Sequence, residues 1–344
     1  MNRFTFLSVG YRYYHGMKHP SILQTATRHS AQSLAEQLLE KGEHSTLLVI
    51  DHTQQAAMEA LTQVDHIFAD ADGTIVNEGT EAFLPDKIEL IQQLARLGVG
   101  ITIVTGKPLA EVVPLRQSLP NEVPINFICE KGAYDVHFDT TGAWREFILS
   151  SAEQEQSVAE LREQFTDFGK QLVNKYGSDK LGFGWGGSGE HKSALSIDLF
   201  AGRPPKDYLT LRGAERNALK LKDASLIEQV EQAIANWAQE QWPDWRIVHL
   251  GNANTEITPK GIGKSEAIIE SAEFGAARKV LILGDSFNDR GMFNLRRKFT
   301  ARTLNSLVIH RKTSLPLVDL ADFVTFGMAN GNPILQATLA AHKL

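Results

Sequence analysis

With one cysteine in 344 residues, Cys129, this chain can form no internal disulfide and supplies no thiolate set for a zinc or iron–sulfur centre. It must fold on hydrophobic cores, and a reducing, cytoplasmic setting is expected. Long apolar runs are also missing. No stretch approaches the ~18 to 20 residues needed to cross a bilayer, and residues 1–10 have neither the apolar length nor the cleavage site of a secretory leader before Tyr11, Arg12, Tyr13, Tyr14 and His15. Positive charge is not in excess: 35 Lys and Arg stand against 41 Asp and Glu, a net charge of −6, so no bulk field draws nucleic acid or an anionic membrane. Glycine and proline number 27 and 12, too few for a collagen-like chain, and no repeat or low-complexity tract is visible. Eleven histidines occur without a His-x-x-x-His spacing, which gives zinc hydrolase chemistry little support. Gly263-Lys264-Ser265 resembles the end of a Walker A loop, but Thr258 stands where that loop requires its first glycine.

What is present fits a soluble globular protein: 42% apolar and 22% charged residues, in a chain about twice the ~150 residues of one domain. Periodicity reads as a strand over 4–9, a helix over 23–39, a strand over 46–50, a helix over 54–61 and a strand over 65–69. Helices over 88–97 and 109–118 alternate with strands over 101–104 and 125–129, the pattern of a parallel sheet with crossover helices. After Gly132 the texture changes to hairpin-like runs over 134–138 and 144–149, a long polar helix over 152–176, and strands over 181–185 and 194–200. A helical face over 226–237 and strands over 245–250 and 255–257 follow, before the core pattern resumes with a helix over 264–272 and a strand over 280–283. The expected plan is an α/β core in two pieces, 61–133 and 251–344, interrupted by an α+β cap over 134–250. An N-terminal α/β extension, 1–60, either continues the core sheet or stands apart.

Asp70 and Asp72 follow a predicted strand and are succeeded by Gly73 and Thr74, placing two acids at the carboxyl edge of the sheet, where α/β ligand sites form. Two carboxylates in so small a space repel unless a cation or proton compensates, and Mg²⁺ is a hard ion suited to such oxygen donors. A second acidic turn, Gly284-Asp285-Ser286-Phe287-Asn288-Asp289, follows the late apolar strand and can supply further ligands if the strands are neighbours. Thr105 ends a third strand with a hydroxyl, and Lys264 brings a cation. Nucleophile, metal ligands and charge-neutralising groups are together the ingredients of phosphoryl transfer. Taken alone, each acidic turn is as compatible with a helix cap or an ordinary loop.

In this order the segments resemble the motifs of the haloacid dehalogenase (HAD) superfamily, in particular its magnesium-dependent phosphatases: Asp70-Ala71-Asp72-Gly73-Thr74, Thr105, Lys264, and Gly284 to Asp289. The resemblance covers about residues 64–326. It implies a HAD-like Rossmannoid three-layer α/β core with Asp70 as nucleophile, Asp72 as general acid and base, Thr105 as phosphate hydrogen-bond donor and Lys264 as charge neutraliser. Metal contacts are expected from Asp70, Asp72, Asp285 and Asp289, and substrate contacts from Gly106, Lys107 and Asn288. Lys107 reads equally well as a surface lysine at a helix start. The long insertion between Thr105 and Lys264 is similar to the branch with an α/β cap after the second motif, which includes sugar-phosphate phosphatases. Ile128-Cys129-Glu130-Lys131-Gly132-Ala133 resembles the lead into such caps, with Lys131 where many relatives have Asn, and Ala321-Asp322-Phe323-Val324-Thr325 resembles a late core strand.

The function so implied is Mg²⁺-dependent hydrolysis of a small phosphorylated metabolite, a sugar or sugar-acid phosphate, with no nucleic-acid or membrane partner and with homo-oligomerisation left open. A phosphomutase using the same nucleophile, or a catalytically weak regulatory binding protein, are the alternatives. Glu190, His191 and Lys192, beside the glycine-rich run 182–189, read as solvated polar residues before substrate contacts; Trp237, Trp242 and Trp245 read as packing before sugar stacking; and the tyrosine cluster at 11–14 reads as packing or a partner contact.

Overall fold

Strand pairing in the computed structural model, which describes residues 22–343 except 78, 79, 81, 139, 140, 142, 186–192, 210, 212 and 252, divides the chain between two sheets. Fourteen strands are described: β1 (Ile22–Ala26), β2 (Thr46–Ile50), β3 (His66–Ala69), β4 (Gly100–Val104), β5 (Ile125–Cys129), β6 (Tyr134–Phe138), β7 (Trp144–Ile148), β8 (Gly182–Trp185), β9 (Leu195–Phe200), β10 (Arg246–Gly251), β11 (Asn254–Thr258), β12 (Val280–Gly284), β13 (Thr303–Ile309) and β14 (Phe323–Phe326). The larger sheet has the order β1-β2-β14-β13-β12-β3-β4-β5-β6-β7. Its six central strands, β14 to β5, run parallel. The residues Val280 to Leu283 of β12 are all fully buried, as expected of a strand covered on both faces by crossover helices. Each such Leu or Ile contributes roughly 1.5–3 kcal/mol of burial.

One face of this sheet buries Ile67, Ile101, Ile103 and Leu281 beneath the helices Pro85–Arg96, Leu109–Gln117 and Asn332–Ala341. The other buries Phe68, Val104, Ile282 and Leu307 beneath Arg28–Glu40, Lys264–Glu270 and Ala272–Ala276. This is the three-layer α/β core expected. The described part of the N-terminal segment continues the sheet: β2 pairs antiparallel with β14 through Phe323↔Val49 and Val324↔Leu48, and β1 lies parallel to β2 at the edge.

Two sequence expectations are corrected. The first helix starts at Arg28, not Leu23; Leu23 to Ala26 belong to β1, where Leu23 faces Leu47 in register. The runs 134–138 and 144–149, expected in the cap, form strands β6 and β7 of the large sheet, with β6 antiparallel to β5 and Val136 fully buried in the core. The strand expected over 4–9 and the tyrosines at 11–14 lie outside the described residues.

The second sheet, β10-β11-β9-β8, is antiparallel. The helices Ala152–Tyr176 and Ala224–Gln241 pack on it through Leu161, Phe165, Val230 and Ile234. Ser151 caps the first of these in a reciprocal arrangement with Gln154. Trp237 stacks on Phe168 at 4.8 Å, and Trp242 lies 4.7 Å from Trp245, so all three tryptophans pack within this unit as expected.

Candidate active site

The parallel order β12-β3-β4 sets the ends of three strands side by side, and each strand releases its chain into a turn that carries a polar group. β3 ends at Ala69, and Asp70 follows, tied to the neighbouring strand by its amide donating to the Leu283 carbonyl at 2.9 Å. β12 ends at Gly284, and Asp285 follows. Residues more than 200 apart in sequence thus meet. The chain turns sharply after Asp72 because Gly73 has φ of 79°, and a Cβ there would stand 2.7 Å from Asp285 Oδ2, so only glycine lets the two turns approach.

One ammonium joins the turns. Lys264 Nζ donates to Asp70 Oδ1 at 2.5 Å and to Asp289 Oδ1 at 2.7 Å. The other oxygen of Asp289 accepts the backbone amides of Asp285 at 3.0 Å and Ser286 at 3.2 Å, so this fully buried carboxylate braces the turn that carries Asp285. Asp285 accepts from His310 Nε2 at 2.8 Å and has Arg311 Nη2 at 3.6 Å. Thr74, also fully buried, places its hydroxyl 3.3 Å from Asp70 Oδ2 and 3.4 Å from Asp285 Oδ1.

Ligand-type oxygens of Asp70, Asp285 and Asp289 lie within 4.8 Å of one another. Burial pushes the Asp70 carboxyl well above the usual carboxylate range; Lys264 opposes this, while the charges of Asp289 and Asp285 add to it. Burial also raises Asp285, against the hydrogen bond from His310, and the charge of Asp289 raises it further. Lys264 is raised as well, because the charges of Asp289 and Asp70 outweigh its burial. Three buried acids, two of them sharing Lys264 and the third beside His310 and Arg311, form an all-oxygen donor set of the kind a hard divalent cation fits.

Asp72 stands apart from that trio. A third of its side chain is exposed, and its carboxylate pairs with Lys107 Nζ at 3.1 Å, which also lies 3.7 Å from Glu111. Lys107 is thus drawn onto the pocket wall by Asp72, in addition to its place just before the helix Leu109–Gln117. Thr105 is buried, and its hydroxyl accepts the Lys107 amide at 3.1 Å, which leaves the hydroxyl proton for another acceptor.

Asp70, Asp72, Thr105, Lys107, Lys264 and Asp285 line one cavity of about 750 Å³, together with Gly106 and Asn288. Its opposite wall comes from the second sheet: Arg246 and His249 of β10 and Glu256 of β11. Lys131 reaches across from the core to form an ion pair with Glu256. Burial, then the charges of Lys264 and Arg246, push Lys131 down to about 7.

Every core residue expected at the site therefore lies on this cavity or directly behind it. Sequence reasoning passed over Thr74, Lys131, His310, Arg311, Arg246 and Glu256. Thr74 and Lys131 stood inside quoted motifs, and His310 and Arg311 directly follow β13, the parallel neighbour of β12, so a strand-end rule would have reached them. Arg246 and Glu256 carried no such signal. Glu190, His191 and Lys192 lie outside the described residues.

A family model for haloacid dehalogenase-like hydrolases matches residues 67–298. No curated protein sequence gives a significant match. Among solved structures, the chain is similar to the C-terminal domain of trehalose-6-phosphate phosphatase from C. albicans, with TM-score 0.53, 14% identity, and coverage of 85% of this chain and 98% of that one. A phosphatase of the haloalkanoate enzyme superfamily from Bacteroides thetaiotaomicron gives TM-score 0.50 at 16% identity over 82% and 97%. A Thermotoga maritima protein gives 0.50 at 12% identity, also over 82% and 97%. At these identities the likeness is one of fold.

Proposed function

The chain belongs to the haloacid dehalogenase-like hydrolases, and from that premise we propose that it hydrolyses phosphate monoesters of small metabolites through a phosphoaspartate formed at Asp70. The observation that carries this reading is the junction of Asp70, Lys264 and Asp285 at one wall of the cavity, with Asp289 behind them. Lys264 holds Asp70 in a fixed rotamer and offsets part of the negative charge that a phosphoryl group would bring. Asp70 attacks phosphorus as the P–O bond to the leaving group breaks. Asp72, at the cavity wall with one oxygen on Lys107, is the group placed to give that oxygen a proton and then to take one from the water that opens the acyl phosphate. Thr105 and Lys107 supply further donors on the same side.

Asp70 and Asp285 would hold Mg²⁺, with Asp289 bracing the turn behind them. Bound there, the ion would neutralise charge on the transferring group and orient it. The opposite wall, with Arg246, His249 and Glu256, offers donors and acceptors rather than an apolar face, which suits a polyhydroxylated or acidic leaving group: a sugar or sugar-acid phosphate. The C. albicans neighbour bears the name of a sugar-phosphate phosphatase, the same class of substrate.

The direct test measures inorganic phosphate from a panel of sugar, sugar-acid and nucleotide monophosphates, with Mg²⁺ or with chelator. Mg²⁺-dependent release from at least one sugar phosphate is expected, with Asp285→Asn lowering turnover by about 10- to 100-fold and raising the Mg²⁺ concentration required. Isomerised substrate without free phosphate would replace this reading with a mutase, and release indifferent to chelator would remove the metal from it.

Metal dependence should also appear in stability. Because Asp70 and Asp285 are raised in the fold, the folded state retains protons that the unfolded chain has lost, so metal-free stability falls as pH rises above the ordinary carboxylate pKa of about 4. Lys264 is raised too, but its contribution is full below the ordinary lysine pKa of about 10 and constant across the neutral range. Mg²⁺ at about 100 times its Kd adds roughly 2.7 kcal/mol. Thermal unfolding with Mg²⁺ and with chelator should therefore diverge from pH 5 to pH 8; parallel curves would contradict the assignment.

A further inference from the structure

A second group of potential ligands sits on the sheet face covered by the helix Ala272–Ala276, and none of it lines the catalytic cavity. Asp135 and His137 alternate on β6, and Glu273 projects from the first turn of that helix. One ligand atom from each lies within 4.8 Å of the other two. His137 Nε2 is 3.1 Å from Asp135 Oδ2, and its Nδ1 is 3.7 Å from Glu273 Oε1.

The acids here are poorly compensated. Asp135 is 7% exposed, yet its Oδ1 has no hydrogen-bond partner, and Glu273 Oε2 is also buried without one. No lysine or arginine comes within ion-pair distance of either acid among the described residues; the histidine is the only potential cation. A buried and a half-buried carboxylate, each with a buried oxygen left unsatisfied, are costly unless something positive joins them. Positioning is nonetheless firm: Asn126 Nδ2 donates to Glu273 Oε1 at 2.6 Å, and Asn126 is the register partner of His137 across β5 and β6. An amide that fixes a carboxylate from behind is the support metal ligands commonly have.

We propose that Asp135, His137 and Glu273 form a binding site for a divalent transition-metal ion, separate from the catalytic cavity, that ties β6 to the covering helix. One imidazole with two carboxylates favours Zn²⁺, Mn²⁺ or Co²⁺ over Mg²⁺, which avoids nitrogen. Tetrahedral ligand bonds of about 2 Å need ~3.4 Å between ligand atoms, so the three side chains must close by about an ångström and the imidazole, which now turns one nitrogen to each acid, must present a single nitrogen to the ion, with water completing the shell. The orphaned oxygens then gain their partner.

The test titrates Zn²⁺ calorimetrically into the full chain after metal removal, with millimolar Mg²⁺ present to occupy the catalytic acids. One equivalent should bind tightly, and Co²⁺ in its place should give the visible absorption of an ion with a nitrogen ligand. His137→Gln and Glu273→Gln should each weaken binding by 10-fold or more, while Asp285→Asn leaves it in place. Glu273→Gln keeps the side chain's size and its bond to Asn126, so it reports on ligation if His137→Gln fails to fold. Failure of the wild type to bind Zn²⁺ under Mg²⁺, equal affinity in Glu273→Gln, or loss of binding in Asp285→Asn alone would each overturn the proposal.

Discussion

Asp70→Asn should leave a folded protein whose phosphate release falls by at least about 10³-fold, equivalent to ~4 kcal/mol of barrier. Asparagine has the shape of aspartate, keeps one oxygen for Lys264 and can donate its amide nitrogen to the Thr74 hydroxyl, but it is no nucleophile toward phosphorus. Folding should not suffer. The ionised Asp70 carboxyl is disfavoured by burial and by the charges of Asp289 and Asp285, so a neutral side chain relieves repulsion even as it weakens the contact with Lys264. Steady-state release on the best panel substrate, together with thermal unfolding in chelator, separates the two effects. Wild-type turnover by a folded Asp70→Asn protein would remove the phosphoaspartate from the mechanism.

Lys264→Met should damage both stability and chemistry. Its ammonium is the only lysine or arginine group within ion-pair distance of Asp70 and Asp289 among the described residues, and both acids are buried. Removing one member of a buried charge cluster leaves the others uncompensated, a loss of about 3–5 kcal/mol. The deficit should shrink on going from pH 7 to pH 5, because protonating a carboxyl removes the unpaired charge, and Mg²⁺ should recover part of it. Lys264→Arg should restore little: two contacts of 2.5 and 2.7 Å suit a compact ammonium rather than a planar guanidinium. Denaturant unfolding of both variants at the two pH values checks this, and a loss below about 1 kcal/mol for Lys264→Met at pH 7 would contradict the bridging role.

The catalytic end of the sheet could be read in advance because strand-ending turns advertise themselves locally. Asp70, Thr105 and Asp285 each follow an apolar run of strand length, and a parallel sheet aligns such ends whatever the strand order. Local pattern misled where one stretch satisfies two periods. Leu23 and Ala26 suit a helix as well as a strand, and only the pairing with β2, a long-range event, decides. Hairpin texture over 134–148 likewise does not reveal which sheet the hairpin joins; β6 belongs to the core because its register on β5 buries Tyr134, Val136 and Phe138. His310 and Arg311 escaped for a different reason: the apolar run of β13 is broken by Asn305 and Ser306, so the strand does not declare itself and the two residues at its end go unnoticed. The wall of Arg246 and Glu256 arises only when a separate sheet folds over the acids, so its residues carry no mark in the chain.

Strand β11 leaves the second sheet at Thr258, and residues 259–263 are all that separates it from Lys264. That short passage is held from both sides, by Arg246 donating to the Ile262 carbonyl and Gln154 donating to that of Lys260. The unit that would feel the shape of an incoming molecule is therefore spliced almost directly onto the cation beside the nucleophile. A chimera that exchanges this unit for a foreign one would inherit new selectivity only if the graft also respects the length and anchoring of that splice; a single inserted residue there should idle the enzyme while leaving both folded halves whole.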